Sequence, residues 1–229
     1  MSKEVVIFIG PPGSGKGTQA DLLLEEMGFY HLESSKVIEE KFKSAPANDE
    51  AIARERELWA SGKLNSPEMV RELILERIRE VATEGKSIVF SGSPRTLYEA
   101  EGEMPVLEEL YEPQHIHVLH LEIGEEESVR RNSKRRICAE NRHPIPNLPS
   151  YEKLTKCPKD GSELITRALD TEDTIRVRFK EYLARTAPVL KLLEDRGYAI
   201  VNIDGDTTIE TVHSHVADAI QRQRLPAPK

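Results

Sequence analysis

The chain has 229 residues, of which 38% are hydrophobic and 31% are charged, and its formal net charge is −8. This length can bury one core with inserted subdomains, and the acidic balance argues against a general nucleic-acid binder or a membrane-surface protein. Because no apolar run approaches about 18 residues, we expect no transmembrane helix. Two cysteines, Cys138 and Cys157, do not make a disulfide scaffold, so the sequence predicts a reducing compartment and a cytoplasmic location.

A strand, a glycine-rich loop and a helix begin the chain. The short apolar run at residues 4–9 predicts a buried strand, and residues 19–27 predict a helix. The loop between them, residues 10–18, fits the phosphate-loop pattern G-x-x-x-x-G-K-[ST], except that Gly17 separates the lysine from the threonine. Such a loop directs backbone N–H groups and the positive end of a helix dipole at one point. The predicted polyphosphate-binding residues are Gly10, Gly13, Ser14, Gly15, Lys16, Gly17 and Thr18.

The later segments alternate between extended and helical patterns. We predict strands at residues 29–32, 86–90, 114–123 and 198–203, and helices at residues 35–43, 49–60, 67–83, 98–110, 125–136, 171–193 and 208–223. Residues 137–165 show no periodicity, and Pro105 and Pro188 are expected to break or kink their helices. Alternating strands and helices imply βαβ units, and therefore a parallel sheet with helices on both faces.

Several arginines follow the predicted strands. Arg95 comes after the strand at residues 86–90, and ligands bind at the carboxyl ends of parallel strands, so Arg95 should clamp a phosphate near the phosphate loop. Arg131 and Arg135 are four residues apart in a predicted helix and share a face. Arg167 and Arg178 follow. A basic helix end alone is often only a solvated terminus, but together with the phosphate loop these cations predict phosphoryl transfer.

The two cysteines belong to a candidate metal site. Cys157 and Asp160 have C-x-x-D spacing, and Cys138 is followed by Asn141 and His143. Cys138, His143, Cys157 and Asp160 would give zinc four ligands of acceptable type. The alternative is two unpaired thiols in a segment that ordinary packing and hydrogen bonds hold together.

These motifs together resemble the adenylate kinase and nucleoside monophosphate kinase family, in its type with a long lid. The resemblance covers nearly the whole chain and includes Gly-Lys-Gly-Thr-Gln at residues 15–19, Gly-x-Pro-Arg-Thr at 92–96 and Thr-Ala-Pro at 186–188. It implies an α/β fold of the P-loop NTPase type, a three-layer sandwich with a five-stranded parallel sheet. It places the core at residues 1–32, 66–136 and 167–229, a flap that binds the nucleoside monophosphate at 33–65, and a lid, which contains the candidate zinc ligands, at 137–166.

The resemblance also implies an activity. A monomer would transfer the γ-phosphoryl of ATP to a nucleoside monophosphate, with magnesium, while the lids exclude water. The implied catalytic residues are Lys16, Arg95, Arg131, Arg135, Arg167 and Arg178. Arg131 would also bind ATP, and Thr18 would bind magnesium. The implied acceptor-binding residues are Ser34, Glu39, Gly92, Arg95 and Glu99.

Three positions depart from the family pattern. Glu39 replaces the arginine that would hold the acceptor phosphate, with Lys36 as a candidate compensation, and Ser91 replaces the aspartate that organises magnesium-bound water. Glu99 replaces the glutamine that reads the adenine of AMP. Because a carboxylate only accepts hydrogen bonds, Glu99 suits a guanine edge or an exocyclic amine better than adenine. The sequence therefore predicts a nucleoside monophosphate kinase that need not prefer AMP as its acceptor.

Other functions remain open at this point. Glu39 and Ser91 are compatible with a nucleotide-binding regulatory protein that has this fold and little or no transfer activity, although the number of arginines argues against it. A kinase for a small non-nucleotide acceptor, such as a sugar, is less consistent with the long lid. A zinc module that binds nucleic acid is less consistent with the acidic chain.

Overall fold

The computed structural model describes residues 3–46, 48–147, 151–166 and 170–224. Its strands are β1 Val5–Ile9, β2 Tyr30–Leu32, β3 Ile88–Phe90, β4 Ile116–Glu122, β5 Arg136–Cys138, β6 Pro144–Ile145, β7 Leu164–Ile165 and β8 Ile200–Asp204. Its helices are α1 Lys16–Met27, α2 Ser34–Ser44, α3 Glu50–Ala60, α4 Pro67–Thr83, α5 Leu97–Tyr111, α6 Glu125–Asn132, α7 Glu172–Glu181, α8 Ala187–Asp195 and α9 Ile209–Arg224.

Five of the strands form a parallel sheet in the order β2-β3-β1-β4-β8. β1 lies at its centre, and every residue of β1 is buried, which explains why this strand is a continuous apolar run and does not alternate. The sheet confirms the predicted α/β fold of the P-loop NTPase type.

Two apolar clusters cover the two faces of the sheet. On one face, α4, α5 and α8 contribute side chains that include Ile74, Met104 and Val189. On the other face, α1 and α9 contribute side chains that include Leu23 and Val216. The sheet is therefore the middle layer of a three-layer sandwich, and its carboxyl edge is free to hold a ligand.

The segment without periodicity contains a second, smaller sheet. β5 pairs with β6 and with β7, antiparallel in both cases, in the order β6-β5-β7. Strands of two or three residues are too short to show an alternating pattern, which is why the sequence did not predict them.

The structure corrects three of the predicted helices. α6 ends at Asn132 and not at residue 136, because the backbone of Arg136 pairs with Ile145 in the small sheet. α5 continues through Pro105, which is exposed, so the carbonyl group that loses its donor can turn to water. The long helix predicted at residues 171–193 consists of α7, a π-helical turn at Tyr182–Thr186 and α8, with Pro188 in the first turn of α8.

Within the described parts of the chain, no helix combines the length and the apolar character that crossing a bilayer requires.

Candidate phosphoryl-transfer site

A cleft of about 920 Å³ opens at the carboxyl edge of the sheet. The register between β1 and β3 places Ile7 opposite Phe90, so the loops that follow these two strands begin side by side. All the predicted phosphate-loop residues line this cleft, together with Gly92, Arg95, Arg131, Arg135 and Arg178. The topology thus brings together residues that are far apart in the sequence.

Two glycines allow the phosphate loop to pack closely against its neighbours. A Cβ atom at Gly10 would lie 2.3 Å from the carbonyl oxygen of Leu121, at the end of β4. A Cβ atom at Gly13 would lie 2.3 Å from Nδ2 of Asn132, and Gly13 also adopts a φ of 80°. The loop requires glycine at both positions, because a side chain would push it away from β4 and α6.

The ammonium group of Lys16 lies within the phosphate loop. Nζ donates hydrogen bonds to the carbonyl oxygens of Gly10 and Pro11, at 2.7 Å each, and to Oγ of Ser14 at 3.3 Å. These bonds hold the charge inside the curve of the loop, where a phosphate oxygen could replace the carbonyl groups as its partner.

Three of the arginines that line the cleft act on the charge of this lysine. Burial lowers the pKa of Lys16, and the positive charges of Arg95, Arg178 and Arg135 lower that pKa further. Burial also lowers the pKa of Arg95. Buried cations that repel one another favour the binding of a polyanion between them. A triphosphate is such a polyanion.

A buried carboxylate that the sequence did not reveal orients two of the arginines. Asp170, which is only 4% exposed, accepts hydrogen bonds from Nε of Arg135 at 2.7 Å and from Nη2 of Arg135 at 3.0 Å. Its Oδ1 lies 3.4 Å from Nη1 of Arg178. Motif spacing identified the arginines, but an aspartate before a helix looks like an ordinary helix start.

The prediction that Arg131 and Arg135 share one helix face is wrong, because α6 ends between them. Arg131 lies in the last turn of α6, where it donates to Glu127 and lies 3.3 Å from Oδ1 of Asp206. Both arginines still line the cleft. Arg167 lies outside the described residues.

The loop after β3 is fixed from two sides. Oγ of Ser34 donates to the carbonyl oxygen of Gly92 at 2.6 Å, and Oγ1 of Thr186 donates to the carbonyl oxygen of Arg95 at 2.9 Å. A Cβ atom at Gly92 would lie 2.3 Å from Oγ of Ser34 and 2.9 Å from Nη2 of Arg95. Ser34 therefore positions the loop that carries Arg95, and its hydroxyl is already occupied by that contact.

Glu99 is buried, with 1% exposure, and its carboxylate serves the same loop. Oε2 accepts from the backbone N–H of Arg95 at 2.8 Å, and Oε1 accepts from the hydroxyl of Thr96 at 3.0 Å. Thr96 in turn caps α5 by accepting from the N–H of Glu99 at 3.2 Å. A capping box has the same pair of residue types, but its glutamate accepts from the N–H of the N-cap residue, whereas Glu99 accepts from that of Arg95. Burial raises the pKa of Glu99.

Ser91 belongs to a chain of hydrogen bonds that lines the cleft. Its Oγ lies 2.6 Å from Nε2 of His31, and Nδ1 of His31 lies 2.8 Å from Oδ1 of Asp21. Because a carboxylate only accepts, Nδ1 donates to Asp21, and in the neutral imidazole Nε2 accepts the proton of the Ser91 hydroxyl. No motif in the sequence indicated that these three residues meet.

Glu39 lines a separate cleft of about 340 Å³ and forms an ion pair with Arg142. Lys36, the candidate compensation for Glu39, instead pairs with Glu33 at 3.5 Å. Arg142 follows β5, in the segment predicted as the lid, so its contact with Glu39 joins two segments that the sequence treats separately.

The four predicted zinc ligands lie together. The ligand atoms of Cys138, His143, Cys157 and Asp160 all fall within 4.8 Å of one another. Nδ1 of His143 lies 3.4 Å from Sγ of Cys157 and 3.2 Å from Oδ2 of Asp160. Asn141, the other candidate, uses its amide to donate to Oδ2 of Asp160 at 2.9 Å. The arrangement suits a tetrahedral metal with sulfur, nitrogen and oxygen ligands.

Comparison with known proteins agrees with this geometry. A family model described as adenylate kinase matches residues 8–198. The chain is 29% identical over 219 residues to the adenylate kinase of Bacillus subtilis, covering 94% of this chain and 97% of that protein. It is 31% identical over 220 residues to the adenylate kinase of Archaeoglobus fulgidus, covering 95% and 98%. It is 34% identical over 212 residues to that of Novosphingobium aromaticivorans, covering 90% and 94%.

Proposed function

This chain belongs to the adenylate kinase family, which makes it a nucleoside monophosphate kinase that moves phosphate from ATP to a nucleoside monophosphate, and we propose that AMP is not its strongly preferred acceptor. Glu39 carries this proposal, because it is paired with Arg142 where the family pattern has a phosphate-binding arginine. The proposed flap, residues 33–65, contains Glu39, and the proposed lid, residues 137–166, contains Arg142.

We propose that the donor phosphates of ATP bind the phosphate loop. Its N–H groups and the ammonium group of Lys16 would then hold the β- and γ-phosphates, with Lys16 exchanging its carbonyl partners for phosphate oxygens. In the transition state, charge spreads over the equatorial oxygens of the transferred group, and fixed cations around it lower the barrier. The proposed cations are Arg95, Arg131, Arg135, Arg167 and Arg178, and the fixing of Arg135 by Asp170 supports this role.

Magnesium would enter this site as a complex with ATP, and Thr18 is the proposed protein ligand. Asp21 lies three residues further along α1, so it shares a face with Thr18, and both line the cleft. Hydrogen bonds link Asp21 through His31 to Ser91, the position where the family pattern has an aspartate. This link supports a role for the Asp21 carboxylate near the magnesium ion. The ion would neutralise charge on the phosphates.

The geometry on the acceptor side supports a changed specificity. The carboxylate of Glu99 accepts from Arg95 and Thr96 and is buried within its own loop. It is therefore not available as the mixed donor and acceptor that a glutamine would offer to adenine. This differs from the sequence prediction, which had the Glu99 carboxylate contact a guanine edge or an exocyclic amine.

We also propose that the lid holds zinc through Cys138, His143, Cys157 and Asp160. The close approach of their ligand atoms supports this, and the hydrogen bond from Asn141 to Asp160 would orient a ligand from outside the coordination sphere. When bound, zinc supplies a structural cross-link between the two ends of the lid. A cytoplasmic location and a monomeric state remain predictions.

The proposal is tested by a panel of acceptors. Purified protein is mixed with Mg-ATP and each of AMP, GMP, CMP, UMP and dTMP, and ADP release is followed with and without acceptor. We expect phosphate transfer to at least one acceptor, and we expect that AMP does not exceed the other acceptors by a wide margin. A wide preference for AMP would contradict the specificity proposal. Binding of ATP without transfer to any acceptor would instead favour the regulatory protein.

A further inference from the structure

Arg142 joins the proposed lid to the proposed flap. Nη1 forms an ion pair with Glu39, and Nη2 lies 3.8 Å from Oε1 of Glu33. The side chain is only 16% exposed and lines both the large cleft and the smaller one beside Glu39. Arg142 is therefore a largely buried cation at the edge of the site, and neither the motifs nor the comparisons single it out.

The backbone and the side chain of Arg142 both carry an unfavourable feature. Its φ is 59°, a left-handed conformation that residues other than glycine rarely adopt. Its Nε is buried and has no hydrogen-bond partner among the residues that the structure describes. Strained backbone persists where the surrounding structure enforces it, commonly at ligand-binding positions, and a buried donor without a partner is costly unless a ligand accepts from it.

Glu33 connects Arg142 to the acceptor side of the cleft. It lines the large cleft between α2 and the loop after β3. Its charge acts on Arg95. Burial opposes ionisation of Glu33, but the hydroxyl of Ser35 and the charges of Lys36 and Arg142 lower its pKa overall. Two guanidinium groups, those of Arg95 and Arg142, therefore face the same carboxylate.

We propose that Arg142 binds the phosphate of the acceptor nucleotide, as the counterpart in the lid of the arginine that the flap lacks at Glu39. This rests on the proposed function, because it assigns a residue to the acceptor side of that site. Before the acceptor binds, Glu39 and Glu33 are the partners of the guanidinium group, and Nε, which has no partner among the described residues, is a donor that a phosphate oxygen can take. A guanidinium group can contact a phosphate through two N–H groups at once, which a lysine cannot do.

The competing explanation is that Arg142 only holds the lid against the flap. The two explanations differ in what Glu39 does. If the contact only closes the site, Glu39→Gln and Arg142→Asn remove the same ion pair and have the same effect. If Arg142 binds phosphate, Glu39 competes with the acceptor for the guanidinium group, so Glu39→Gln lowers the KM for the acceptor while Arg142→Asn raises it.

The experiment compares initial rates of four variants with the best acceptor of the panel. Asparagine is chosen at position 142 because it tolerates the left-handed backbone. Loss of one charge-assisted contact is expected to raise the acceptor KM about 10- to 100-fold, with the KM for ATP nearly unchanged. Glu39→Arg combined with Arg142→Asn should restore much of the acceptor affinity. Lys153→Asn, which removes an exposed charge from the same segment, is the matched control.

An unchanged acceptor KM in Arg142→Asn, or equal effects of the two single variants on both substrates, would overturn the inference. Thermal unfolding of each variant verifies that it folds. If the wild type transfers to no acceptor, the proposed function fails separately. Calorimetry then still tests Arg142, because the gain in affinity of AMP over adenosine and of GMP over guanosine should be lost in Arg142→Asn.

Discussion

At the scale of single residues, the loop that carries Arg95 lies over two buried carboxyl groups on α5. Oγ of Ser93 donates to Oε1 of Glu103 at 2.6 Å and lies 3.4 Å from Oε2 of Glu99. Burial and the charge of Glu99 raise the pKa of Glu103 well above its usual range. Glu103 therefore keeps its proton to a higher pH in the folded protein than in the unfolded chain.

We predict that the stability of Glu103→Gln relative to the wild type increases as the pH rises. Between the ordinary glutamate pKa and the raised pKa of Glu103, the folded state binds a proton that the unfolded state has lost, so stability falls with increasing pH. Glutamine has no proton to lose. The melting temperature of the variant relative to wild type should be higher at pH 8 than at pH 5, by about 2–4 °C for each kcal/mol gained.

Glu101→Gln is the control for this prediction, because Glu101 is an exposed neighbour on the same helix. It should leave the pH dependence of the melting temperature as it is in the wild type. If the difference between Glu103→Gln and wild type is the same at both pH values, Glu103 is ionised in the fold and the prediction is wrong.

At the scale of elements, the sequence predicted what depends on local interactions. The phosphate loop was predictable because glycine conformation, loop length and the following helix are all encoded within residues 10–18. The end of α6 was not predictable, because a basic run looks like a continuing helix, while pairing of Arg136 with Ile145 ends it. The contact between Asp170 and Arg135 and the contact between Arg142 and Glu39 each join residues more than 30 positions apart, and charge patterns do not specify such partners.

The proposed lid shows the same limit in its candidate metal site. Spacing predicted Cys157 and Asp160 as a pair, and it left Asn141 and His143 open as partners of Cys138. In the structure, the turn between β5 and β6 brings Nδ1 of His143 within 3.5 Å of Sγ of Cys138, and the Asn141 side chain faces Asp160. The choice between the two depends on the path of a five-residue turn, which the sequence alone does not define.

We predict about one zinc ion per chain in protein purified without added metal, because structural sites of this type bind zinc tightly at neutral pH. His143→Ala should lose the metal and lower the melting temperature, as should Cys157→Ser. Asn141→Ala is the matched control and should retain zinc, since its amide only supports Asp160. Elemental analysis measures the metal content. Metal well below one ion per wild-type chain, with folding unaffected by chelator, would exclude the site.

At the scale of the whole molecule, the core carries the phosphate loop, and the proposed flap and the proposed lid line the same cleft. A Cβ atom at Gly62 would lie 2.7 Å from Cγ2 of Thr174, so the proposed flap packs directly on α7. Lys159 of the proposed lid forms an ion pair with Glu25 on α1. These contacts cover the cleft from two sides, which is the arrangement that would keep water from the transferred phosphoryl group.

Removal of most of the proposed lid should therefore divert the phosphoryl group of ATP from the acceptor to water, while the core remains folded. β5 and β7 are neighbours, and the backbone N–H of Ala139 donates to the carbonyl oxygen of Glu163 at 2.9 Å. An Asn-Gly turn can thus replace residues 140–162 as a tight hairpin.

We expect the shortened protein to transfer phosphate at least about 100-fold more slowly, because the positioning of the acceptor and Arg142 are lost. ATP hydrolysis without acceptor should persist or rise. ADP release with and without acceptor measures both rates, and full-length Arg142→Asn is the control that separates the two causes, since it keeps water excluded. An unchanged ratio of transfer to hydrolysis in the shortened protein would mean that residues 140–162 do not act as a lid.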